Sequence, residues 1–237
     1  MGIKYRGLKV YELPGNKFER KIESMDTDDL PDNDVLIRVK YSALNYKDAL
    51  SAFGNKGVTR KYPFTPGIDA AGIVEESRTD AFKPGDKIVT GGFDLGMNTP
   101  GGFGEYIRVP ADWIVPLPEE ISLKESMIIG GTGFTAGLSV MNLVEQGVSP
   151  DDGPVLVTGA AGGVGSWSVL ILKKLGYEVI AGTSNIEDSK EIVQKLGADH
   201  HFDKSIIDDQ SGRALLKWKW AGAIENVGGN VLATALK

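Results

Sequence analysis

The chain has 237 residues, of which 24% are charged and 41% hydrophobic, with a formal net charge of −6. That balance is ordinary for a globular protein, argues against the basic stripe of a nucleic-acid surface, and leaves length for one large or two modest domains. Cysteine is absent, which excludes disulfides and thiolate metal sites and makes a cytoplasmic location the expectation.

The opening "MGIKYRGLKVYELPG" lacks the apolar core of a signal peptide, and no apolar run is expected to approach the ~18 residues of a bilayer span, so no membrane role is expected. Roughly the first half alternates and turns like a β domain. "DVLIRVKYSAL" (34–44), "AAGIVEES" (70–77), "DKIVTGG" (86–92) and "FGEYIRVPADWIV" (103–115) read as strands, with "KPGDK" (83–87) as a turn. At Ser122 the character changes. "SLKE" is a capping box that opens a helical stretch to about Glu145. "VSPDDGP" (148–154) is a loop, and after it the pattern becomes strand and helix in alternation. "VLVT" (155–158), "YEVIAGTS" (177–184), "ADHHF" (198–202) and "AGAIENVG" (221–228) are strands; "SWSVLILKKLG" (166–176) and "NIEDSKEIVQKLG" (185–197) are helices; "NVLATALK" (230–237) looks helical. Trp218 and Trp220 alternate with lysines, as on one face of a half-buried strand. The fold class is therefore α/β. A β-rich domain over 1–125 precedes a parallel, doubly wound domain over 126–237. The latter shows about four strands where a full dinucleotide fold has six, so the reading expects a domain truncated at the C-terminus and a protein that continues past Lys237.

The densest motif is "VLVTGAAGGVGS" (155–166), a strand, a glycine turn and a helix. Such a turn directs free backbone N–H groups and the positive end of a helix at one point, which suits a phosphate. The frame Ala160-x-Gly162-x-x-Gly165 carries alanine where the dinucleotide fingerprint usually has its first glycine. Ala161, Gly162, Gly163 and Val164 are the expected contacts of the turn. A glycine-rich tight turn without ligand is the alternative.

The motifs "LNYKDAL" (44–50), "PGIDAAGIV" (66–74), "GGFGEYIRVP" (101–110), "MIIGGTGFTA" (127–136) and "TGAAGGVGS" (158–166) resemble, in this order, those of the medium-chain dehydrogenase/reductase superfamily. "LNYKDAL", "MIIGGTGFTA" and "WAGAIENVG" (220–228) are similar to its quinone oxidoreductase subgroup, which includes acryloyl-CoA reductases. The resemblance implies a GroES-like catalytic domain followed by a Rossmann domain, a bound NADP(H), a small-molecule substrate and longer relatives; a homodimer is expected. Zinc-dependent members carry a cysteine near the "LNYKD" segment and a His-Glu pair after "PG". Here those positions read Asn45-Tyr46 and Ile68-Asp69. Zinc needs three or four converging ligands. The only histidines, His200 and His201, are adjacent on a strand and point to opposite faces. No metal site is expected.

An NAD-selective site usually has Asp or Glu at the end of the second strand. Here that place reads Gly182-Thr183-Ser184-Asn185. Thr183, Ser184 and Asn185 can donate to a 2′-phosphate and do not repel it, although Asn185 also suits a helix N-cap. NADP(H) is expected over NAD(H), with Lys190 one turn further on. The resemblance assigns Tyr46 to the reacting centre; a phenol, protonated at neutral pH, can donate a hydrogen bond or a proton. A structural tyrosine at a helix start, with Asn45 as N-cap and Asp48 at N3, is the alternative. Thr132 is carried over as a neighbour of the nicotinamide, or packs beside the helix glycines. Asn226 falls at a strand's carboxyl end, where ligands of such sheets bind. The expected activity is reduction of an activated C=C or a quinone; the alternative is a non-catalytic NADP(H)-binding protein.

Overall fold

The computed structural model describes residues 2–217 and 219–237. The chain divides into two compact units, Met1–Gly131 and Thr132–Lys237.

Unit 1 is built on strands β1 (Lys4–Leu13), β2 (Lys17–Asp26), β3 (Val35–Tyr41), β4 (Asp69–Ser77), β5 (Lys87–Gly91), β6 (Tyr106–Val109) and β7 (Ile114–Pro116). β1 and β2, ten residues each, form a hairpin around Pro14-Gly15-Asn16, where both Gly15 and Asn16 take positive φ. The remaining five strands form an antiparallel sheet in the order β6-β3-β4-β5-β7. Alternation puts Val35, Ile37, Ala70, Val74, Ile88, Ile107 and Val109 into one buried cluster. The single strand expected over 103–115 is two, β6 and β7. Pro110 withholds an N–H, and a 3₁₀ turn over Ala111–Trp113 bends the chain from one sheet edge to the other. β1 is more than half of a hairpin: Leu8 N donates to Phe103 O and Val10 N to Phe64 O, each at 2.8 Å.

Helix α1 (Tyr46–Ala52) follows β3. Helix α2 (Leu123–Glu145) begins with the expected capping box: Ser122 N donates to Glu125 at 2.8 Å and Glu125 N to Ser122 Oγ at 3.2 Å. It is not one continuous helix, because Gly130 has φ 51° and ψ −165°. By length and composition α2 is apolar enough to cross a membrane, with a mean hydropathy of 1.5. The expectation that no apolar run approaches a bilayer span fails at this helix, because glycine, serine and threonine punctuate the stretch and hide its average apolar character.

Unit 2 is a four-stranded parallel sheet of β8 (Val155–Thr158), β9 (Val179–Thr183), β10 (His200–Asp203) and β11 (Gly222–Ile224), in the order β10-β9-β8-β11. Helices α3 (Gly163–Lys174), α4 (Ile186–Lys195) and α5 (Gly229–Ala235) alternate with the strands or follow them. Val155 and Val157 pack with Val169, Leu172 and Val193 on one face; Leu156 packs with Ile207 and Val231 on the other. Cover on both faces is why "VLV" (155–157) is continuously apolar rather than alternating. The strand expected around Trp218 and Trp220 does not form at Trp220, and Trp218 lies outside the described residues. Trp220 instead packs beside Leu156, and its indole N–H donates to Ala235 O at 3.1 Å. The chain leaves β8 toward β9 and β10 on one side and returns to β11 on the other. The carboxyl ends of β8 and β11 thus flank a topological switch point, where open α/β sheets bind ligands.

Candidate functional site

A cavity of about 450 Å³ opens at this switch point, lined by Gly159, Ala161, Gly162, Gly163, Val164, Gly165, Thr183, Ser184, Ser189 and Asn226. Gly162 is the N-cap of α3 in extended backbone. The first-turn amides of α3, which have no partner within a helix, fall on the residues that line the space. The turn is tight for identifiable reasons. Gly159 has φ +57°, a conformation that favours glycine. Gly162 N donates back to Gly159 O at 2.9 Å. A Cβ on Gly165 would stand 2.2 Å from Gly159 O, so this glycine brings α3 against the end of β8. A Cβ on Gly163 would stand 2.9 Å from Thr132 Cγ2. The Thr132 methyl therefore packs on the turn itself.

Across the switch point, a hydrogen-bond network locks β11 to β8. Thr158, 1% exposed, donates through Oγ1 to Glu225 at 2.8 Å and accepts from Asn226 N at 2.8 Å. Asn226 Nδ2 donates to Thr158 O at 2.9 Å. Glu225 also accepts from Val227 N and Gly228 N, each at 2.8 Å. Asn226 is thereby held at the rim with its side chain already engaged.

Of the candidate contacts, Ala161, Gly162, Gly163, Val164, Thr183, Ser184 and Asn226 line one cavity, and Thr132 touches its glycine turn. Asn185 does not line it. Its side chain caps α4, accepting from Asp188 N at 3.3 Å and donating to the Asp188 carboxylate. Ser189, one turn into α4, is a lining residue that sequence reasoning missed; its place depends on how α4 packs. No carboxylate lines the cavity. A glycine cradle at a helix N-terminus, neutral donors at the end of β9 and no opposing negative charge fit a dinucleotide phosphate.

Tyr46 belongs to unit 1. It is the first residue of α1 and is 81% exposed. Its backbone is fixed by the neighbours expected to cap the helix. Asn45 N donates to Asp48 Oδ2 at 2.7 Å, and Asp48 Oδ1 accepts from Ile68 N at 2.9 Å. Asp48 is buried, and burial pushes its carboxyl above the ordinary carboxylate value despite these bonds. Asp69, 4% exposed, stands where zinc-dependent relatives carry glutamate; it accepts from Asn45 Nδ2 at 2.9 Å and from Gly131 N at 3.0 Å. Its place after "PG" flagged the position, but its role as anchor of the α2 break did not show in the sequence. Among the described residues no group of three or more His, Asp or Glu comes together to hold a metal. His200 pairs with Glu178 at 2.8 Å, and His201 faces Thr183.

Comparison with known proteins identifies the class. Residues 31–119 match the alcohol dehydrogenase GroES-like domain family. The chain is 45% identical over 215 residues to "Putative quinone oxidoreductase YhfP" of Bacillus subtilis, covering 91% of this chain and 65% of that protein. It is 44% identical over 220 residues to "Acrylyl-CoA reductase AcuI" of Ruegeria pomeroyi, covering 93% and 66%. The crystal structure of the yhdH oxidoreductase of Salmonella enterica in complex with NADP superposes with a TM-score of 0.93 at 41% identity, over 98% of this chain and 70% of that one. The structure of YhfP with NAD bound gives 0.94 at 42%, over 99% and 70%. The chain belongs to the medium-chain dehydrogenase/reductase superfamily, in the group that holds YhfP and AcuI. It spans about two thirds of the length of these relatives.

Proposed function

We propose that the chain carries the cofactor cavity and the proton donor of an NADPH-dependent, zinc-independent reductase. Its substrate is an activated C=C, as in an acryloyl-CoA-like thioester or an enone, or a quinone. One observation carries this reading: a cavity at the switch point joins a glycine cradle to Thr183, Ser184 and Ser189 and is lined by no carboxylate. The relatives are crystallised with NADP in one case and NAD in another. The missing carboxylate at the end of β9 favours the phosphorylated form, since no negative charge there repels a 2′-phosphate.

In this reading the first-turn amides of α3, with Ala161 to Val164, hold the pyrophosphate. Thr183 and Ser184 hold the adenosine ribose, and Asn226 borders the nicotinamide side of the switch point. When bound, the dinucleotide supplies a hydride. Reduction of a C=C conjugated to a carbonyl needs that hydride at the β-carbon and a proton at the α-carbon. Tyr46, with its exposed phenol on a helix start braced by Asp48 and Asp69, supplies the proton or a hydrogen bond to the carbonyl. Asp48 and Asp69 act through Asn45 and are positioning residues. Asn45-Tyr46 and Ile68-Asp69 at the positions of the zinc ligands favour a substrate already polarised by conjugation.

The test is oxidation of NADPH by the full chain in the presence of acryloyl-CoA or a small quinone. Consumption that depends on the acceptor and falls at least about tenfold in Tyr46→Phe supports the reading. Tight NADPH binding without turnover on either acceptor refutes the enzymatic role and favours a non-catalytic NADP(H)-binding protein. Stoichiometric zinc that survives chelator washing refutes the metal-free chemistry.

A further inference from the structure

The adenosine end of the cavity has a titratable neighbour that the proposed function does not use. Thr183 closes β9 and lines the cavity, yet it is only 3% exposed, so its hydroxyl has few possible partners. One is His201 Nε2, at 2.9 Å; the other is Asn185 O, at 3.5 Å. His201 lies on β10, in register with Ala181 of β9. The charged groups around it can be named by element. β9 carries none. On α4, Lys190 acts on the imidazole; Asp188 is bound to Asn185, Glu191 is paired with Lys195, and Glu187 is exposed in the first turn. On β10 itself Asp203 accepts from Ser205 N at 3.0 Å, and His200 is bound to Glu178. Burial, and then Lys190, push His201 below its ordinary value of 6.5, so it is neutral at pH 7 to 8.

The direction of the Thr183–His201 bond depends on that proton. A neutral imidazole with a bare Nε2 accepts the hydroxyl hydrogen, and Thr183 Oγ1 then offers a ligand only its lone pairs. An imidazolium must donate at Nε2, which releases the hydroxyl hydrogen to a ligand oxygen in place of the long 3.5 Å contact with Asn185 O, and adds a positive charge. Lone pairs suit a ribose hydroxyl; a free hydrogen beside a cation suits a phosphate. We propose that His201 is a positioning residue which, through Thr183, sets whether this end of the cavity prefers a 2′-hydroxyl or a 2′-phosphate. The inference rests on the dinucleotide reading of the cavity. Protonation of His201 and binding of a 2′-phosphate then favour each other reciprocally.

The chain has only two histidines, so both imidazoles can be titrated by NMR in the unmodified protein. Adenosine 2′,5′-bisphosphate is expected to raise the pKa of His201 by roughly half a unit or more, about a threefold coupling, and adenosine 5′-monophosphate is not. His200, bound to Glu178 at 2.8 Å, is the internal control. If both nucleotides shift the amide resonances of the glycine turn and His201 titrates unchanged, the inference is overturned and the dinucleotide reading stands. If neither nucleotide shifts those amides, the dinucleotide reading fails and the inference with it. H201Q gives a second readout. Between about pH 8 and 6, wild type gains affinity for the bisphosphate over the monophosphate, relative to the variant. The ionisation of the ligand is common to both proteins and cancels. A variant that tracks wild type across that range overturns the proposal.

Discussion

Gly165→Ala separates the two tasks of the glycine turn. The residue lies inside α3, and its φ is not in the positive range, so alanine is conformationally acceptable there. The obstacle is contact: the added Cβ would stand 2.2 Å from Gly159 O and 2.7 Å from Ala160 Cα. Both are backbone atoms, and the turn cannot swing away. Gly162 N is bonded to Gly159 O at 2.9 Å and Ala160 N to Gly182 O at 3.1 Å. Relief requires α3 to lift from the sheet by about 1 Å, which opens the packing of Val169 and Leu172 against Val155 and Val157. Overpacking of this kind costs about 1–3 kcal/mol, and the better helix propensity of alanine returns up to about 1 kcal/mol. Gly165→Ala is expected to lose about 1–2 kcal/mol net, read as a lower urea midpoint of the transition that reports on unit 2. The paired control is Gly162→Ala. Its Cβ would meet only Gly159 O, at 3.2 Å, and stand in the phosphate cradle. It should unfold within about 1 kcal/mol of wild type while losing at least about tenfold in NADPH affinity. Unchanged stability in Gly165→Ala refutes the close-approach argument; affinity within about twofold in Gly162→Ala refutes the cradle.

Ser184→Asp places a carboxylate at the end of β9, where it repels a 2′-phosphate and accepts from a ribose diol. The ratio of NADPH to NADH affinity should fall, and dinucleotide titration of both cofactors checks it. Thr158→Val keeps shape but removes the hydroxyl shared by Glu225 and Asn226 N, leaving the Asn226 N–H without its partner while Glu225 keeps the Val227 and Gly228 N–H groups. A loss of about 1–3 kcal/mol is expected on urea unfolding. Asp48 has its folded pKa raised above 3.8, so its contribution to stability is complete below that pH and is lost as pH rises through the higher folded value. Asn at this position mimics the protonated acid. The stability of Asp48→Asn relative to wild type should therefore rise with pH above about 3.8, measured by urea midpoints across an acid series.

What the sequence displayed and what it concealed differ by range. The β8–turn–α3 unit is local: an apolar run buried on both faces, glycines where backbone must approach backbone, and a helix ending at Gly176. Asn45 and Asp48 likewise announce the start of α1. The break at Gly130 is not local. "MIIGGTGFTA" carries a helical apolar pattern, and the residue that anchors the break, Asp69, accepts the Gly131 N–H from another strand. Trp220 alternates with lysine like a strand residue, yet the Ala235 carbonyl and the Leu156 face of the sheet claim it instead. In the cavity the turn glycines were legible, because a conformational need selects them. Ser189 was not, since its place depends on the docking of α4. The meeting of His201 with Thr183 follows from parallel register, which alternation along one strand does not reveal.

The break in α2 changes what its apolar length means. From residue 131 to 145 the helix rises about 22 Å, and from 123 to 129 about 10 Å. Neither piece reaches the ~30 Å of a hydrocarbon core. Between them sits a carboxylate: Asp69 accepts the first N–H of the second piece at 3.0 Å. In lipid that junction would place a charge near mid-span, at a cost of several kcal/mol. α2 is thus two short struts joined at a buried carboxyl group, not the single uninterrupted rod that its length and composition suggest.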